Sequence, residues 1–318
     1  MGAPKATRTG TQDGAAVGDG DAPSHVVRLD GAPLIRVGAR PALRDYLRQV
    51  WAFRHFIIYD SHSRVQSANT NDSLGRFWMV MNPILNGFAY FLVFGLLLDT
   101  SRGVSNFIGY LVIGVFMFRF TTTAVTSGAG SIVGNRAVVQ AFNFPRACLP
   151  LSANVRELFA NVPVFLVMAL LVLTVGDMEL GDEEAIPVTV DWLWLFIFPV
   201  LILNLMLTTG LGLMLARAVS ANPDVKHVIA FGTRIWFYTS AVFFGVERFA
   251  RTDFYEEILF VMHHNPMYCV LDIIRQTWLY GEPADPYRWI VLSVWAVAAL
   301  LIGFLVFWRG EEHYGRER

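Results

Sequence analysis

Apolar residues in this chain gather in long stretches that contain no charge. Trp289–Trp308 runs for twenty residues and Trp192–Ala216 for twenty-five residues without an Asp, Glu, Lys or Arg. At about 1.5 Å of rise per residue, about twenty apolar residues cross the ~30 Å hydrocarbon core of a bilayer. Such stretches must be helical, because lipid offers no hydrogen-bond partner to backbone N–H and C=O groups. The pattern therefore predicts an all-α integral membrane protein.

Stretches of this kind predict six transmembrane helices. The fifth is the weakest of them, because Arg234 interrupts its apolar run. Between the fifth and the sixth lie two apolar pieces, Phe254–Met262 and Tyr268–Leu279. They are too short to span a bilayer, so we predict short re-entrant or interfacial helices there. The six predicted spans are Phe77–Leu98, Phe107–Ala124, Leu158–Val175, Trp192–Ala216, Val228–Val246 and Trp289–Trp308.

The segment before the first span divides into two parts. Residues 1–33 are rich in Gly, Ala and Asp, and they bury too little apolar surface to offset the entropy of ordering, which predicts a disordered tail. Residues 34–76 contain a predicted amphipathic helix, Pro41–Ile58, whose basic and Trp-bearing character suits a membrane interface. The alternative is an ordinary packed helix of a small N-terminal domain. The transmembrane domain then covers residues 77–309, and residues 310–318 form a short tail.

Lys and Arg are distributed unevenly between the two sides of this topology. Of the 25 Lys and Arg residues, eighteen lie on the side that holds both termini and five on the other side. Because cytoplasmic loops carry the excess of positive charge, both termini are predicted to be cytoplasmic. The two short apolar pieces then lie on the periplasmic side. The formal net charge is −1, so composition gives no reason to expect nucleic acid as a partner.

Several kinds of chemistry are missing from the sequence. The only lysines are Lys5 and Lys226, and neither stands in a G-x-x-x-x-G-K-[ST] phosphate-binding loop. If ATP drives the protein, ATP and Mg²⁺ must bind to another polypeptide, and no cofactor is expected in this chain. A membrane-embedded glycan transferase would need clustered acids or histidines, which neither Asp19–Asp21 nor His263–His264 supplies. A secondary transporter would need paired charges at mid-depth, and only unpaired arginines occur.

Two arginines and several aromatic residues within the predicted spans are candidates for a substrate path. A cation at mid-bilayer costs about 2.5–3.5 kcal/mol on insertion scales, so Arg119 and Arg234 must snorkel to the cytoplasmic side or face a wet cavity. In the second case they could contact an anionic headgroup such as a pyrophosphate. Tyr90, Trp236 and Tyr238 could let a sugar chain slide past by stacking, or they could face lipid as interface belts.

Four motifs along the chain resemble those of a known family. They are LGRFW running into MNPIL (Leu74–Leu85), FPR followed by LP (Phe144–Pro150), WFYTSAV (Trp236–Val242) and NPM (Asn265–Met267). In this order they resemble motifs of the ABC-2-type permeases that export polysaccharides, including O-antigen and teichoic acid. The resemblance runs from about residue 40 to about residue 310. Within the family it is greatest to the mycobacterial permeases that export lipid-linked galactan.

The resemblance implies a permease subunit and not an enzyme. It implies a homodimer in the plasma (inner) membrane, two separate ATP-binding subunits, and export of a polyprenyl-pyrophosphate polysaccharide from cytoplasm to periplasm between the first and fifth spans. Membrane lipid is the other expected contact. The residues that would couple to the ATP-binding subunits are Arg44, Arg48, Trp51, Asn135, Arg136, Phe144, Pro145 and Arg146. The residues of a periplasmic gate would be Asn265, Pro266 and Met267, and those of the substrate path would be Tyr90, Arg119, Arg234, Trp236 and Tyr238.

Residues 125–150 are predicted to form a cytoplasmic excursion. Gly128, Gly130 and Gly134 are followed by the compact turn Phe142–Pro145, a pattern that suits docking into a partner's groove. The alternative is a plain cytoplasmic loop.

The chain departs from the family pattern at two places. Ala241 stands where the family usually has a proline, so a softer helix break is expected there. Asn222–Asp224 replaces the family's RD loop after the fourth span, which puts that contact in doubt. An ABC-2 exporter of a small lipid or drug remains the alternative function, because it would share this architecture.

Overall fold

The computed structural model describes residues 41–67, 77–93, 104–177, 186–246 and 253–314, and within these ranges the regular secondary structure is entirely helical. Two short 3-10 helices, Trp192–Phe196 and Glu311–His313, accompany the α-helices. The α-helices are α1 (Leu43–Ala52), α2 (Arg54–Ser67), α3 (Phe77–Tyr90), α4 (Phe107–Gly134), α5 (Arg136–Ala141), α6 (Cys148–Val175), α7 (Ile197–Ala221), α8 (Val225–Thr239), α9 (Tyr255–His263), α10 (Pro266–Trp278) and α11 (Pro286–Arg309).

Four of the described helices are long and apolar enough to cross a membrane: α4, α6, α11 and the continuous helix Trp192–Ala221. The prediction of an all-helical membrane protein is therefore confirmed. Helix α8 has only 15 residues, so its length of about 22 Å falls short of the hydrocarbon core. The predicted first span continues beyond Val93 into residues outside the described ranges. The count of six spans thus stays a prediction, and so does the disordered tail 1–33, which lies outside the described ranges.

Helix α4 forms the centre of the protein. It packs against α6 and α7 along much of its length, and against α3, α8 and α10 over shorter contacts. The predicted second span ended at Ala124, but the helix continues to Gly134. Gly128 and Gly130 therefore lie inside a helix, and the prediction of a loop from residue 125 was wrong. A methyl group on Gly128 would lie 3.0 Å from Cα of Gly212 in α7, so glycine lets these two backbones approach closely.

The N-terminal amphipathic segment is two helices rather than the single one predicted. The break lies at Phe53, whose N–H is shared between the carbonyls of Gln49 and Val50, both at 3.1 Å. This break turns the chain so that α2 packs along α6. The contact is fixed by the buried hydroxyl of Ser61, which donates to the carbonyl oxygen of Ser152 at 2.9 Å.

The predicted fifth span ends early. Helix α8 stops at Thr239, and Ala241 has a φ of +49°, in the left-handed region that a residue with Cβ rarely adopts. The helix thus breaks here without a proline, and the expectation that this break is softer than the family's stays a prediction. The two short apolar pieces are helices as predicted, α9 and α10. Whether they enter the membrane stays a prediction.

Candidate functional site

Helix α4 contacts both α3 and α8, and we call the face of α4 between these two contacts the groove. On one side of α4, the ring of Phe116 faces α3, where a methyl group on Gly87 would lie 3.9 Å from it. On the other side, the ring of Phe118 meets Phe237 of α8 with centroids 5.0 Å apart. Because successive helical residues are about 100° apart, Arg119 projects between these two contacts. Its side chain is exposed, although all the residues from Val112 to Phe118 are buried.

Arg119 lies near the middle of its helix, as the thirteenth of 28 residues. The helix continues ten residues beyond Ala124, and the choice between snorkelling and contact with substrate stays a prediction for Arg119. About 22 Å of helix separates Arg119 from Gly134. Toward Gly134, the same helix face carries the hydroxyl groups of Thr122, Thr123 and Thr126. The face is therefore polar from mid-length to the predicted cytoplasmic end.

Aromatic rings of α3, α4 and α8 meet beside this face of α4. Tyr90 of α3 reaches Phe237 of α8 with ring centroids 5.5 Å apart, and Phe118 lies 6.0 Å from Trp236. The structure thus brings three predicted path residues, Arg119, Tyr90 and Trp236, to one groove. The other two, Arg234 and Tyr238, lie exposed on α8, and Tyr238 keeps 53% of its surface accessible.

Asn265 joins the end of α8 to the start of α10. Its side-chain oxygen accepts from Nε1 of Trp236 at 2.9 Å and from the N–H of Met267 at 3.0 Å. Its amide nitrogen donates to Oγ of Ser240 at 3.0 Å and to the last carbonyl of α8 at 3.1 Å. Pro266 opens α10 at a position that needs no N–H, and Met267 is fully buried. The NPM motif is therefore a joint between these helices, and its role as a gate stays a prediction.

Arg275 holds the turn that follows α8, a role that the sequence analysis did not anticipate. Its side chain is 2% exposed, and it donates to the carbonyls of Ala241 at 3.0 Å, Val242 at 2.9 Å and Tyr110 at 3.1 Å. Its guanidinium carbon lies 3.3 Å from the centre of the Tyr110 ring. A methyl group on Gly114 would lie 2.7 Å from the guanidinium, so glycine makes room for it. Arg275 thereby fixes the strained backbone at Ala241.

The predicted coupling residues divide into an exposed group and an inward group. Asn135 accepts from Nη2 of Arg64 at 2.9 Å, and Phe144 packs against two aromatic residues of the α1–α2 break. Pro145 is buried and Arg146 is half-buried. The exposed residues are Arg44, Arg48, Trp51 and Arg136.

A buried polar cluster ties α1 to the segment after α11. The hydroxyl of Tyr46 donates to Oε2 of Glu311 at 2.7 Å, and the N–H of Arg146 donates to Oε1 at 3.0 Å. The N–H of Ala147 donates to the Tyr46 hydroxyl at 3.1 Å, and the guanidinium of Arg146 donates to the backbone carbonyl of Glu311. Burial raises the pKa of the Glu311 carboxyl, and hydrogen bonds from Arg146 and Tyr46 only partly oppose it.

We expect the stability of the protein relative to its Glu311→Gln variant to fall as pH rises. Because the folded pKa of Glu311 is raised, the proton is held more tightly in the folded state. The stabilisation is complete below about pH 4.3, the ordinary value for Glu, and is lost as pH rises through the folded pKa. Thermal unfolding in detergent between about pH 4 and pH 8 measures this difference. Tyr46→Phe should steepen the fall, and parallel curves for both proteins would contradict the assignment.

Within the ranges that the structure describes, no group of three or more His, Cys, Asp or Glu side chains could hold a metal ion. The groove and the joints around it are instead made of cations, hydroxyl groups, amides and aromatic rings. Such an arrangement can guide an anionic, hydroxyl-rich molecule.

Residues 62–279 match the ABC-2 type transporter family. The chain is 25% identical over 198 residues to the O-antigen export system permease protein RfbA of Myxococcus xanthus. The aligned residues make up 62% of this chain and 71% of that protein. It is 20% identical over 239 residues to the protein of the same name from Klebsiella pneumoniae. These residues make up 74% of this chain and 83% of that protein. The matched region includes the groove, the NPM joint and Arg275. The chain belongs to the ABC-2 type transporter family, whose membrane-integral permeases work with ATP-binding partners.

Proposed function

We propose that this chain is the permease subunit of an ABC exporter that moves a lipid-linked polysaccharide, a polyprenyl-pyrophosphate galactan, from cytoplasm to periplasm. The observation that carries the proposal is the exposed Arg119 at mid-length of α4, on the floor of the groove between α3 and α8. The relatives named as O-antigen export permeases support the class of substrate. The choice of galactan as the polysaccharide rests on the resemblance of the four sequence motifs to those of the galactan exporters.

The charge of Arg119 supports a wet groove for an anion. With the described residues its guanidinium forms neither an ion pair nor a hydrogen bond, so the protein does not neutralise it within the chain. An isolated cation facing lipid would cost about 2.5–3.5 kcal/mol. A pyrophosphate that follows the threonine face of α4 would remove this cost, because guanidinium and phosphate form paired, charge-assisted hydrogen bonds. The aromatic rings around Phe237 then offer stacking surfaces to the sugars.

A second copy of this chain is proposed to complete the path. None of the 15 residues of α8 is buried within the chain. Val228, Phe231, Ile235 and Tyr238 form an apolar stripe at helical spacing and are 68%, 62%, 49% and 53% exposed. We propose that α8 of the second copy covers this stripe, so that the two grooves face each other across a homodimer.

Two ATP-binding subunits, which would carry the ATP and Mg²⁺, are proposed to dock on the cytoplasmic side. The exposed cations Arg44, Arg48 and Arg136, together with Trp51, offer a basic surface with an apolar anchor. Movement of this surface would reach the membrane helices through Phe144 and Arg146, which are packed against α1, α2 and the segment after α11. Both termini are cytoplasmic in this arrangement.

Depletion of this protein in its own cells tests the proposed function. We expect a polyprenyl-pyrophosphate glycan to accumulate on the cytoplasmic side, and restored expression should clear it. Analysis of the accumulated lipid by mass spectrometry identifies the sugar. An unchanged glycolipid pool together with retention of a small lipid or drug would contradict the proposal and favour the alternative exporter.

A further inference from the structure

A polar cavity of about 280 Å³ opens between α2, α4 and α6. It begins at Thr126, about 10 Å along α4 from Arg119, so it continues the polar face of the groove toward the predicted cytoplasmic end. Small residues of α4 form one wall and two arginines the others. The lining residues that matter are Arg64, Thr126, Ser127, Gly130, Ser131 and Arg156.

The cavity holds two arginines, and each of them is paired with one carboxylate. Its lining includes the guanidinium groups of Arg64 and Arg156 and one carboxylate, Asp60, which accepts from Nε of Arg64 at 2.8 Å. Nη2 of Arg156 lies 3.2 Å from Oε1 of Glu157, an acid outside the lining that also accepts from Oγ of Ser127 at 2.8 Å. This bond uses one of five N–H donors, so most of the guanidinium of Arg156 remains available to a ligand.

Gly130 lines the cavity and has open space beside it. A methyl group on Gly130 would meet no atom within 4 Å, whereas one on Gly128 would lie 2.9 Å from Nδ2 of Asn154. Gly128 is therefore required by the packing of α4, and Gly130 is not. Glycine within a helix is less favourable than alanine, so a glycine without a packing role is a net loss to helix stability. Gly134, which also lines the cavity, has the same open space beside it.

We infer that this cavity binds the phosphate or pyrophosphate headgroup of a lipid before the headgroup moves along α4 to Arg119. The inference rests on the proposed function for the direction of movement. Arginine pairs with phosphate oxygens through two parallel hydrogen bonds, and the free N–H groups of Arg156 can supply such a pair. At about 280 Å³ the cavity lies just below the usual range for small-molecule pockets, about 300–1,000 Å³, which suits a headgroup and leaves the glycan and the lipid tail outside.

Binding of farnesyl pyrophosphate to the purified permease in complex with its ATP-binding partner tests the site. We expect Arg156→Gln to weaken the Kd at least tenfold, because a charge-assisted hydrogen-bond pair to phosphate is lost. Gly130→Leu should weaken it as strongly by filling the cavity, with the complex still eluting intact from gel filtration. Arg309→Gln removes an exposed charge at the end of α11 and serves as the control. An unchanged Kd in both cavity variants would overturn the inference.

The source of the headgroup is resolved by two further probes. Inorganic pyrophosphate should compete with farnesyl pyrophosphate, and farnesol should not. If phosphatidylglycerol in nanodiscs is retained through Arg156 while farnesyl pyrophosphate is not, the cavity is a site for membrane phospholipid, and its role in export is overturned. If farnesyl pyrophosphate binds through Arg156 while depletion of the protein leaves the glycolipid pool unchanged, the site stands and the proposed function is contradicted. If Arg156→Gln exports at the full rate while depletion of the protein still makes the glycolipid accumulate, the proposed function stands and the site is contradicted.

Discussion

Replacement of Arg275 by methionine is expected to lower the free energy of unfolding by about 3–5 kcal/mol. The variant leaves the carbonyl of Val242 without its buried donor, at a cost of about 1–3 kcal/mol. It also removes the cation from the face of Tyr110, an interaction of about 2 kcal/mol when desolvated. The carbonyl of Ala241 keeps a donor, the hydroxyl of Tyr110 at 3.1 Å, which limits the loss.

Thermal unfolding of the purified protein in detergent, followed by near-ultraviolet circular dichroism, measures this effect. Arg309→Met is the matched control, because Arg309 is exposed at the end of α11. Arg275→Lys should fall between the wild type and Arg275→Met, since an ammonium keeps the charge but lacks the planar fork that reaches three carbonyls. Equal unfolding temperatures for Arg275→Met and the control would show that the turn at Ala241 is held by other contacts.

Replacement of Arg119 by glutamine should reduce the export rate at least tenfold and leave folding unchanged. The side chain is exposed and, within the described ranges, bonds to no other residue, so the structure loses nothing when the charge is removed. A passing pyrophosphate loses a charge-assisted interaction of about 1.5–3 kcal/mol, and each 1.4 kcal/mol corresponds to about a factor of ten.

Export can be measured in inverted membrane vesicles that contain the radiolabelled lipid-linked glycan and the ATP-binding partner. Arg119→Lys should keep most of the rate because it keeps the charge, and Arg309→Gln should keep all of it. The unfolding temperature of each variant separates a transport effect from a folding effect. If Arg119→Gln exports at the wild-type rate, Arg119 has no role in export and is only a snorkelling cation.

The sequence located best the helix whose apolar run is bounded by charged residues at both ends. Trp289–Trp308 was located within three residues of α11 at its start and one at its end, because its apolar run stops at charged residues. The cytoplasmic end of α4 was missed because its Thr, Ser and Gly residues have low hydropathy. Gly128 and Ser131 among them are buried inside the protein, so hydropathy does not mark their part of the helix. The turn at Ala241 depends on Arg275 and Tyr110, 34 and 131 residues away, and no local pattern encodes it.

The candidate site was predictable where a residue conflicts with its surroundings. Arg119 was found because it is a cation in an apolar span, and the same rule would have found Arg275 within the apolar run of α10. Arg156 and Glu311 could not be found in this way, because each lies in an ordinary polar stretch. Their importance comes from what folds against them, and the contact between Tyr46 and Glu311 joins residues 265 positions apart.

The same long separation has a consequence for biosynthesis. Helix α1 leaves the ribosome early, but Glu311, whose carboxylate accepts from the Tyr46 hydroxyl, is made only after α11 has emerged. Until then Tyr46 lacks its buried hydrogen-bond partner, and the basic residues of α1 are not yet held in their final position. The basic surface proposed to receive the ATP-binding subunits is therefore completed last, so those subunits would recruit only permeases whose membrane helices are already inserted.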